Sequence, residues 1–389
     1  MNIEGRLQIN LYPHAGSESR VEITSSRPLQ VVKIFEGKRP KQVLATLPLL
    51  YSVCGIAQAT AATRAFAQLL ESKESRSVDV ARDLLVTAET AREHLWRILL
   101  DWPQLLDETV DAQRIIPIQS LLQTLRTALF AESASFCLHS KLELDGELIN
   151  ELIDHLERVV GELVFNESLT QWLEIDDLTS LSRWVAQSSA ISARALRRII
   201  DDEWQTVGRC NIAPLPALSE ANLHQQLGTA DAEHFIAEPT WQQQCWETTS
   251  LARQAEHPLI ASLQGEYGNG LLTRVTARLV ELATLPEKMR TMTAHLTSPQ
   301  TVAHSPSDKV GIGQVEAARG RLVHRIVMVG GLVSRYQVLA PTEWNFHPQG
   351  VVARGLAKLQ TRDKAVLQRQ AAMLIHAVDP CVGYNLKVH

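Results

Sequence analysis

Paired cysteines are what this sequence lacks. Its five cysteines, Cys54, Cys137, Cys210, Cys245 and Cys381, stand far apart, and no intact Cys-x-x-Cys occurs. An odd, widely spaced set does not read as a disulfide framework, and a closed structural zinc site has no ligand pair to start from. Positive charge is not in excess either. The 38 Lys and Arg against 43 Asp and Glu leave a net charge of −5, which gives no footprint for nucleic acid or an anionic membrane. No uninterrupted apolar run approaches a membrane span. The opening MNIEGRLQINLYPH has no basic segment leading into an apolar one, so it does not read as a secretory signal. Together these absences point to the cytoplasm. Internal repeats and low-complexity tracts are absent as well.

What is present is a 389-residue chain, 45% hydrophobic, with ample material for a large core. Residues 3–11 alternate, with Ile3, Gly5, Leu7, Ile9 and Leu11 opposed to Glu4, Arg6, Gln8 and Asn10. That pattern predicts a half-buried strand, paired with Arg20–Thr24 across the Pro13–Ser19 turn. Residues 1–35 are therefore a small β region. From 40 to 296 the pattern is mainly helical. Residues 78–101 and 117–131 are helical, and Pro103 reads as a stop after the first. Leu148-Ile149, Leu152-Ile153, Leu156, Val159-Val160 and Leu163 recur at helical spacing opposite Glu151, Asp154, Glu157 and Arg158. Residues 167–205 read as a helical pair with Trp172, Trp184 and Trp204 in the core, 206–240 as mostly connection, and 271–296 as helix. Ser298–Gly313, rich in Ser, Pro, His and Gly, reads as a surface loop. Arg321–Val329 and Leu332–Leu339 flank Gly330-Gly331, a strong hairpin signal because adjacent glycines supply positive φ. Residues 362–377 form a final helix that delivers Asp379-Pro380-Cys381.

Two fragments look like halves of metal-binding pairs. Ser52-Val53-Cys54-Gly55-Ile56-Ala57 has Ala57, and Asp379-Pro380-Cys381-Val382-Gly383-Tyr384 has Tyr384, where a second thiolate would stand. Between them lie Asn2-Ile3-Glu4-Gly5-Arg6, Gly37-Lys38-Arg39-Pro40, the run Gly311-Ile312-Gly313-Gln314-Val315-Glu316-Ala317-Ala318-Arg319-Gly320-Arg321-Leu322-Val323-His324, and Pro341-Thr342-Glu343-Trp344-Asn345. In this order the patches resemble those of the large subunit of nickel–iron hydrogenases. They anchor both ends of the chain, while residues 105–295 are recognisable only as helical, and the chain is short for a large subunit. Departures are Ser52 for an arginine, Ala61 for a histidine, Ala318 for a proline, and Lys387 at the terminal histidine spacing, with His389 two residues late. Val32 sits about where the family's magnesium carboxylate belongs, and Glu36 is out of register.

The resemblance implies that the first cysteine of each pair binds nickel and the second bridges nickel to iron. Loss of both bridges removes every protein ligand to iron and leaves nickel two thiolates short, so no complete Ni–Fe centre and no hydrogen turnover are expected. Arg319 and Thr342 match residues that neighbour the cyanides on iron, and a permanently charged guanidinium fork suits such an anionic group. The combination is similar to the accessory branch of the family, the HupK-type maturation proteins. It implies an α+β, predominantly helical, large-subunit-like fold, one domain over residues 1–389, with a small N-terminal sheet and, within 311–389, a C-terminal β-hairpin, a final helix and the Asp-Pro-Cys tail. It implies no enzyme but a scaffold holding or protecting an Fe(CN)2CO fragment. Cys54 and Cys381 would be its metal ligands, and Arg319, Thr342 and Asp379 its cofactor-binding residues. The partners implied are a HypC-like chaperone, HypD and hydrogenase subunits, with no nucleic acid and no membrane insertion.

Plainer readings stand beside these. Cys54 and Cys381 also read as buried structural cysteines. Arg319 reads equally as an ion-pair partner of Asp379 or Glu316, Thr342 as a turn residue, and Asp379 as a cap. Glu4 matches a family position tied to proton transfer but here reads as structural or exposed. His94, Cys137, His139, Cys210 and Cys245 have no metal-ligand spacing. A cofactor-free chaperone mimicking the large subunit is the alternative function. An enzyme akin to the quinone-reductase subunit of shared ancestry is a third.

Overall fold

The computed structural model describes residues 5–14, 16–51, 53–70, 75–131, 134–296, 310–361 and 363–389. Ile3, Glu4 and Ser52 lie outside the described residues. Strand β1, Arg6–Tyr12, buries Leu7, Ile9 and Leu11 on one face, as its alternation predicts, and pairs antiparallel with β2, Arg20–Ser25. The chain then turns helical. Helix α1 is Pro40–Leu50, α2 is Gly55–Leu69 and α3 is Arg76–Trp96.

Pro103 does not stop the third helix. A π-turn at Arg97–Asp101 carries the chain into Trp102–Leu105, where Pro103 sits in the first turn. The i→i−5 bond from the Trp102 N–H to the Arg97 carbonyl widens the ladder just before the proline, so the ring is taken in without a break. Helix α4, Gly146–Val160, buries the predicted stripe of Ile149, Ile153, Leu156, Val159 and Val160. Residues 167–205 form three helices rather than two, Leu169–Trp172, Leu178–Gln187 and Ile191–Asp201. Trp172 and Trp204 are buried, and half-buried Trp184 meets Trp172 edge-on at 6.0 Å. Residues 206–240 are mostly connection but hold two short helices, Glu220–Leu227 and Ala232–Ala237. Helix α5, Leu271–Thr293, runs through the helical core against α3 and α4. None of the described helices is long and apolar enough to cross a membrane.

The predicted hairpin is two thirds of a sheet. Strands β4, Gly320–Val329, and β5, Leu332–Leu339, join through Gly330 and Gly331 at φ +60° and +78°. A further strand, β3, Val310–Ala317, pairs antiparallel with β4. The expected loop over 298–313 is thus corrected at its end; residues 297–309 lie outside the described residues. Gly311 and Gly313, read as part of that surface loop, serve close packing. A Cβ on Gly311 would lie 1.9 Å from the Ala65 carbonyl oxygen, and one on Gly313 would lie 1.9 Å from that of Ala61. Helix α2 presents a wall of alanines here, Ala57, Ala61, Ala62 and Ala65, all fully buried, so its backbone lies directly on β3.

Helix α6, Pro341–Asn345, follows β5, and helix α7, Lys364–Val378, leads to Asp379 at φ +65°. The tail then becomes strand β6, Gly383–Val388, parallel to β1 with Leu7 opposite Tyr384. The small sheet, in order β2-β1-β6, is therefore built from both chain ends and not from residues 1–35 alone. The His389 N–H bonds to the Leu11 carbonyl at 3.0 Å, and its ring stacks on Tyr12 at 4.1 Å.

Gly313→Ala is expected to destabilise the protein by about 1–3 kcal/mol through overpacking against a backbone that cannot yield. A urea titration of the variant beside wild type checks this, and an unchanged midpoint contradicts the close α2–β3 packing.

Candidate two-thiol site where the chain ends meet

Cys54 occupies the N-cap position of α2. The first turn of that helix is held by Glu89 on α3, whose two carboxylate oxygens accept the N–H groups of Ile56 and Ala57, each at 3.0 Å. Burial pushes the Glu89 carboxyl up to about 7 despite those bonds. Gln58, one turn on, donates to the Cys54 sulfur at 3.6 Å. On the other side, β6 and α7 fix Cys381. The Thr342 hydroxyl, on α6, accepts the Cys381 N–H at 3.3 Å and lies 2.8 Å from its sulfur. Both cysteine residues remain partly accessible. Burial raises both thiols, Cys54 to about 12, and the charge of Cys381 weighs on Cys54. The structure thus brings Cys54, Cys381 and Thr342 together from three distant stretches of chain.

Arg319 and Asp379 form the adjoining layer. Arg319 donates to Glu93 at 2.9 Å, and its Nε lies 3.3 Å from an Asp379 oxygen. Asp379 also lies 2.8 Å from Arg97 and 3.7 Å from Arg278. Burial opposes the charge of Asp379, but Arg319, Arg97 and Arg278 outweigh it and hold the carboxyl well below its usual range. The ion-pair reading of Arg319 with Asp379 is therefore realised, alongside its position near the thiols. Glu316 pairs with Arg321 and Arg253 instead. Two motif residues brace Arg319. Asn345 donates to its carbonyl at 3.1 Å and accepts the Thr248 N–H at 2.8 Å. Gly320, at φ +126°, leaves no room for a Cβ, which would fall 1.6 Å from the Thr248 carbonyl oxygen.

Arg27 is the site residue that the sequence did not flag. It donates to both oxygens of Glu343, at 3.0 and 3.4 Å. Its side chain is only 11% exposed. Burial works against its charge, but Glu343, Cys381, Tyr51 and Cys54 keep the guanidinium firmly protonated. Ser25-Ser26-Arg27-Pro28 matches no motif. The one available signal was Gly5, whose positive φ and missing Cβ let the Arg27 backbone approach to 2.5 Å of where that Cβ would be.

The positions that depart from the family pattern have other uses. Ala57 and Ala61 belong to the buried wall of α2, and Val32 is buried among apolar side chains. Tyr384 packs edge-on against His376 at 5.7 Å, and Lys387 is exposed on β6. His324 is buried between Tyr336 and Gln58, at 2.8 and 2.7 Å, and burial followed by Arg27 lowers it to about 3, so it is neutral. His94 lies 2.8 Å from Glu281, and Cys245 lies 3.3 Å from the His347 Nδ1, contacts that spacing alone did not foretell. Among the described residues no three His, Cys, Asp or Glu side chains gather as a metal site. The site is two sulfurs, with the charges of Arg27 and Arg319 acting on Cys381.

Comparison with known proteins places this arrangement. The sequence pattern of nickel-dependent hydrogenases matches residues 185–386. The hydrogenase expression/formation protein HoxV of Cupriavidus necator is 30% identical over 94% of this chain and 92% of its own length. This chain belongs to the hydrogenase expression/formation proteins of the nickel-dependent hydrogenase family. Among such proteins, HupV of Azotobacter chroococcum is 28% identical over 99% of this chain and 98% of its own, and HupK of Azotobacter vinelandii is 28% identical with the same coverage. The uptake hydrogenase large subunit of Rhizobium leguminosarum matches at 33% identity over only 21% of this chain and 15% of its own. The fold of an expression/formation protein is nonetheless that of the large subunit. The Ni-Fe-Se hydrogenase from D. vulgaris Hildenborough superposes with a TM-score of 0.67 at 14% identity, covering 95% of this chain and 94% of that one.

Asp379→Asn is expected to cost about 3–5 kcal/mol near neutral pH, because it takes a counter-charge from the buried guanidiniums of Arg278 and Arg319 and from the partly buried one of Arg97. The stabilisation that Asp379 supplies is fully present above the ordinary carboxylate range and is lost on acidification below it, since its folded pKa is depressed. Denaturant titrations of both proteins across pH should therefore show the gap narrowing in acid. A pH-independent gap contradicts the charge argument.

Proposed function

We propose that this protein serves hydrogenase assembly by holding an Fe(CN)2CO fragment, or protecting it, before transfer to the hydrogenase large subunit. The observation that carries this reading is the pairing of Cys54 and Cys381 beside Arg319 and Thr342. Two soft sulfurs suit an iron that brings its own cyanide and carbonyl ligands, and they are too few for a Ni–Fe centre that needs four thiolates. Both thiols are protonated in the free protein, so ligation releases their protons as iron binds. Arg319 supplies a fixed positive charge toward the cyanides, and Thr342, already against Cys381, supplies the hydroxyl. Asp379 would act on the fragment through Arg319, whose guanidinium it holds.

The names of the relatives, hydrogenase expression/formation proteins, support a role in maturation and a non-catalytic one. We read residues 1–389 as one large-subunit-like domain working in the cytoplasm beside a HypC-like chaperone, HypD and hydrogenase subunits.

Infrared spectra of protein purified without oxygen from a host expressing the maturation proteins, with iron analysis on the same sample, test the reading. Cyanide and carbonyl stretching bands are expected in wild type and absent in Cys54→Ser and Cys381→Ser. Wild-type protein free of bands and of iron, yet co-purifying with maturation proteins, would replace this function with that of a cofactor-free chaperone.

A further inference from the structure

We propose that the groove along α1 is the docking site for an acidic amphipathic helix of a maturation partner, seated beside the arm that carries Cys54. The inference rests on the maturation role proposed above and adds where, and by what chemistry, a partner is held.

Helix α1 is apolar on two sides. Val43, Leu44 and Leu47 are buried, as the inward stripe of a surface helix should be. The outer side of such a helix is normally polar, yet here it carries Ala45, Pro48 and Leu49, and Leu49 is 83% exposed. These three residues line one wall of a cavity of about 600 Å³, a size typical of built binding clefts. The segment 134–138 supplies another wall, with Phe136 and Leu138. That wall is preformed. The buried guanidinium of Arg82 donates to the carbonyls of Ser135 and Cys137, at 2.8 and 2.9 Å. A partner therefore loses little to ordering of the groove.

The charge of this face decides the kind of partner. From Gly37 to Tyr51 the chain carries Lys38, Arg39 and Lys41 and no carboxylate, although the net charge of the protein is −5. All three are exposed, and Lys41 lines the groove itself. Basic side chains beside an apolar cleft complement a helix with an apolar stripe and acidic flanks. Lys41 to Leu49 span about 13 Å of helix, room for about two turns of such a partner. A flat anionic bilayer meets Leu49 but does not enter the cleft.

The position of the groove links it to the thiols. Gly55, the residue after Cys54, packs against α1, and a Cβ on it would lie 3.1 Å from the Pro48 carbonyl oxygen. A helix seated over Pro48 and Leu49 thus lies against the segment that carries Cys54.

The test is a footprint on Cys137, an exposed thiol in the groove. The full-length protein is treated with N-ethylmaleimide alone and then with a purified HypC-like chaperone, HypD or hydrogenase large subunit of the same host, and labelling of each cysteine is read by mass spectrometry. One of these partners is expected to slow alkylation of Cys137 about tenfold when present at about ten times its Kd. Half-buried Cys210, outside the groove, should keep its rate. Leu49→Glu should weaken that partner at least about tenfold, the scale of burying one leucine. Lys38→Glu with Lys41→Glu should weaken it too and flatten its salt dependence. Ile116→Glu, at another exposed apolar residue, should change nothing. Circular dichroism verifies that each variant is folded. A partner that binds while Cys137 labelling and the Leu49→Glu affinity stay unchanged overturns the groove and leaves the maturation role standing. A wild-type dimer that Leu49→Glu splits assigns the groove to a second copy and overturns it also. If none of the three proteins binds, the maturation role falls and this inference with it. Absence of cyanide bands, with a partner seated in the groove, overturns iron holding alone.

Discussion

The Asp379 carboxylate is the interaction on which the site depends. It lies at the end of α7, in a left-handed conformation, among guanidiniums from three other segments: Arg97 beyond α3, Arg278 on α5 and Arg319 between β3 and β4. Buried like charges repel strongly, so three arginines converge only around a negative centre. That centre fixes where α7 ends and hence where Cys381 is placed. It also fixes the guanidinium of Arg319 against the helical core. The zipping of β6 onto β1 completes the same task from the other side, because it leaves the tail a single register.

The sulfur and the charge of this site tell different stories. Ala57 and Tyr384 have been absorbed into packing, one in the alanine wall of α2 and the other against His376. The arginine layer, by contrast, is fully built and braced by Asn345 and Gly320. Under the function proposed above, this arginine layer and the two thiols would together receive an iron fragment. Arg27, from a segment that carries no motif, adds a largely buried ion pair with Glu343.

Much of the architecture was legible because it is local. The stripe of α4, the alternation of β1 and the Gly330-Gly331 turn each express a short-range rule that needs no partner. What was misread is instructive. Gly311 and Gly313 carry the composition of a loop, yet their lack of side chains answers to α2, some 250 residues earlier in the chain. Pro103 carries the signature of a stop, yet a π-turn lets the helix pass. The strand β6 is short and half polar, and only β1 makes it a strand.

For the site, the sequence by itself determined the inventory: two unpaired cysteines in recognisable frames, an arginine and a threonine in motifs, an aspartate before a proline. Residue type and short-range spacing were sufficient for that. Only the tertiary structure decided the arrangement. It set Thr342 against Cys381, gave Asp379 three guanidiniums, directed Glu316 away from Arg319, and brought in Arg27. The reason is physical. Ion pairs and close backbone contacts form between groups that are near in space, and nothing in the local sequence of Arg27 specifies that Glu343, 316 residues away, will meet it.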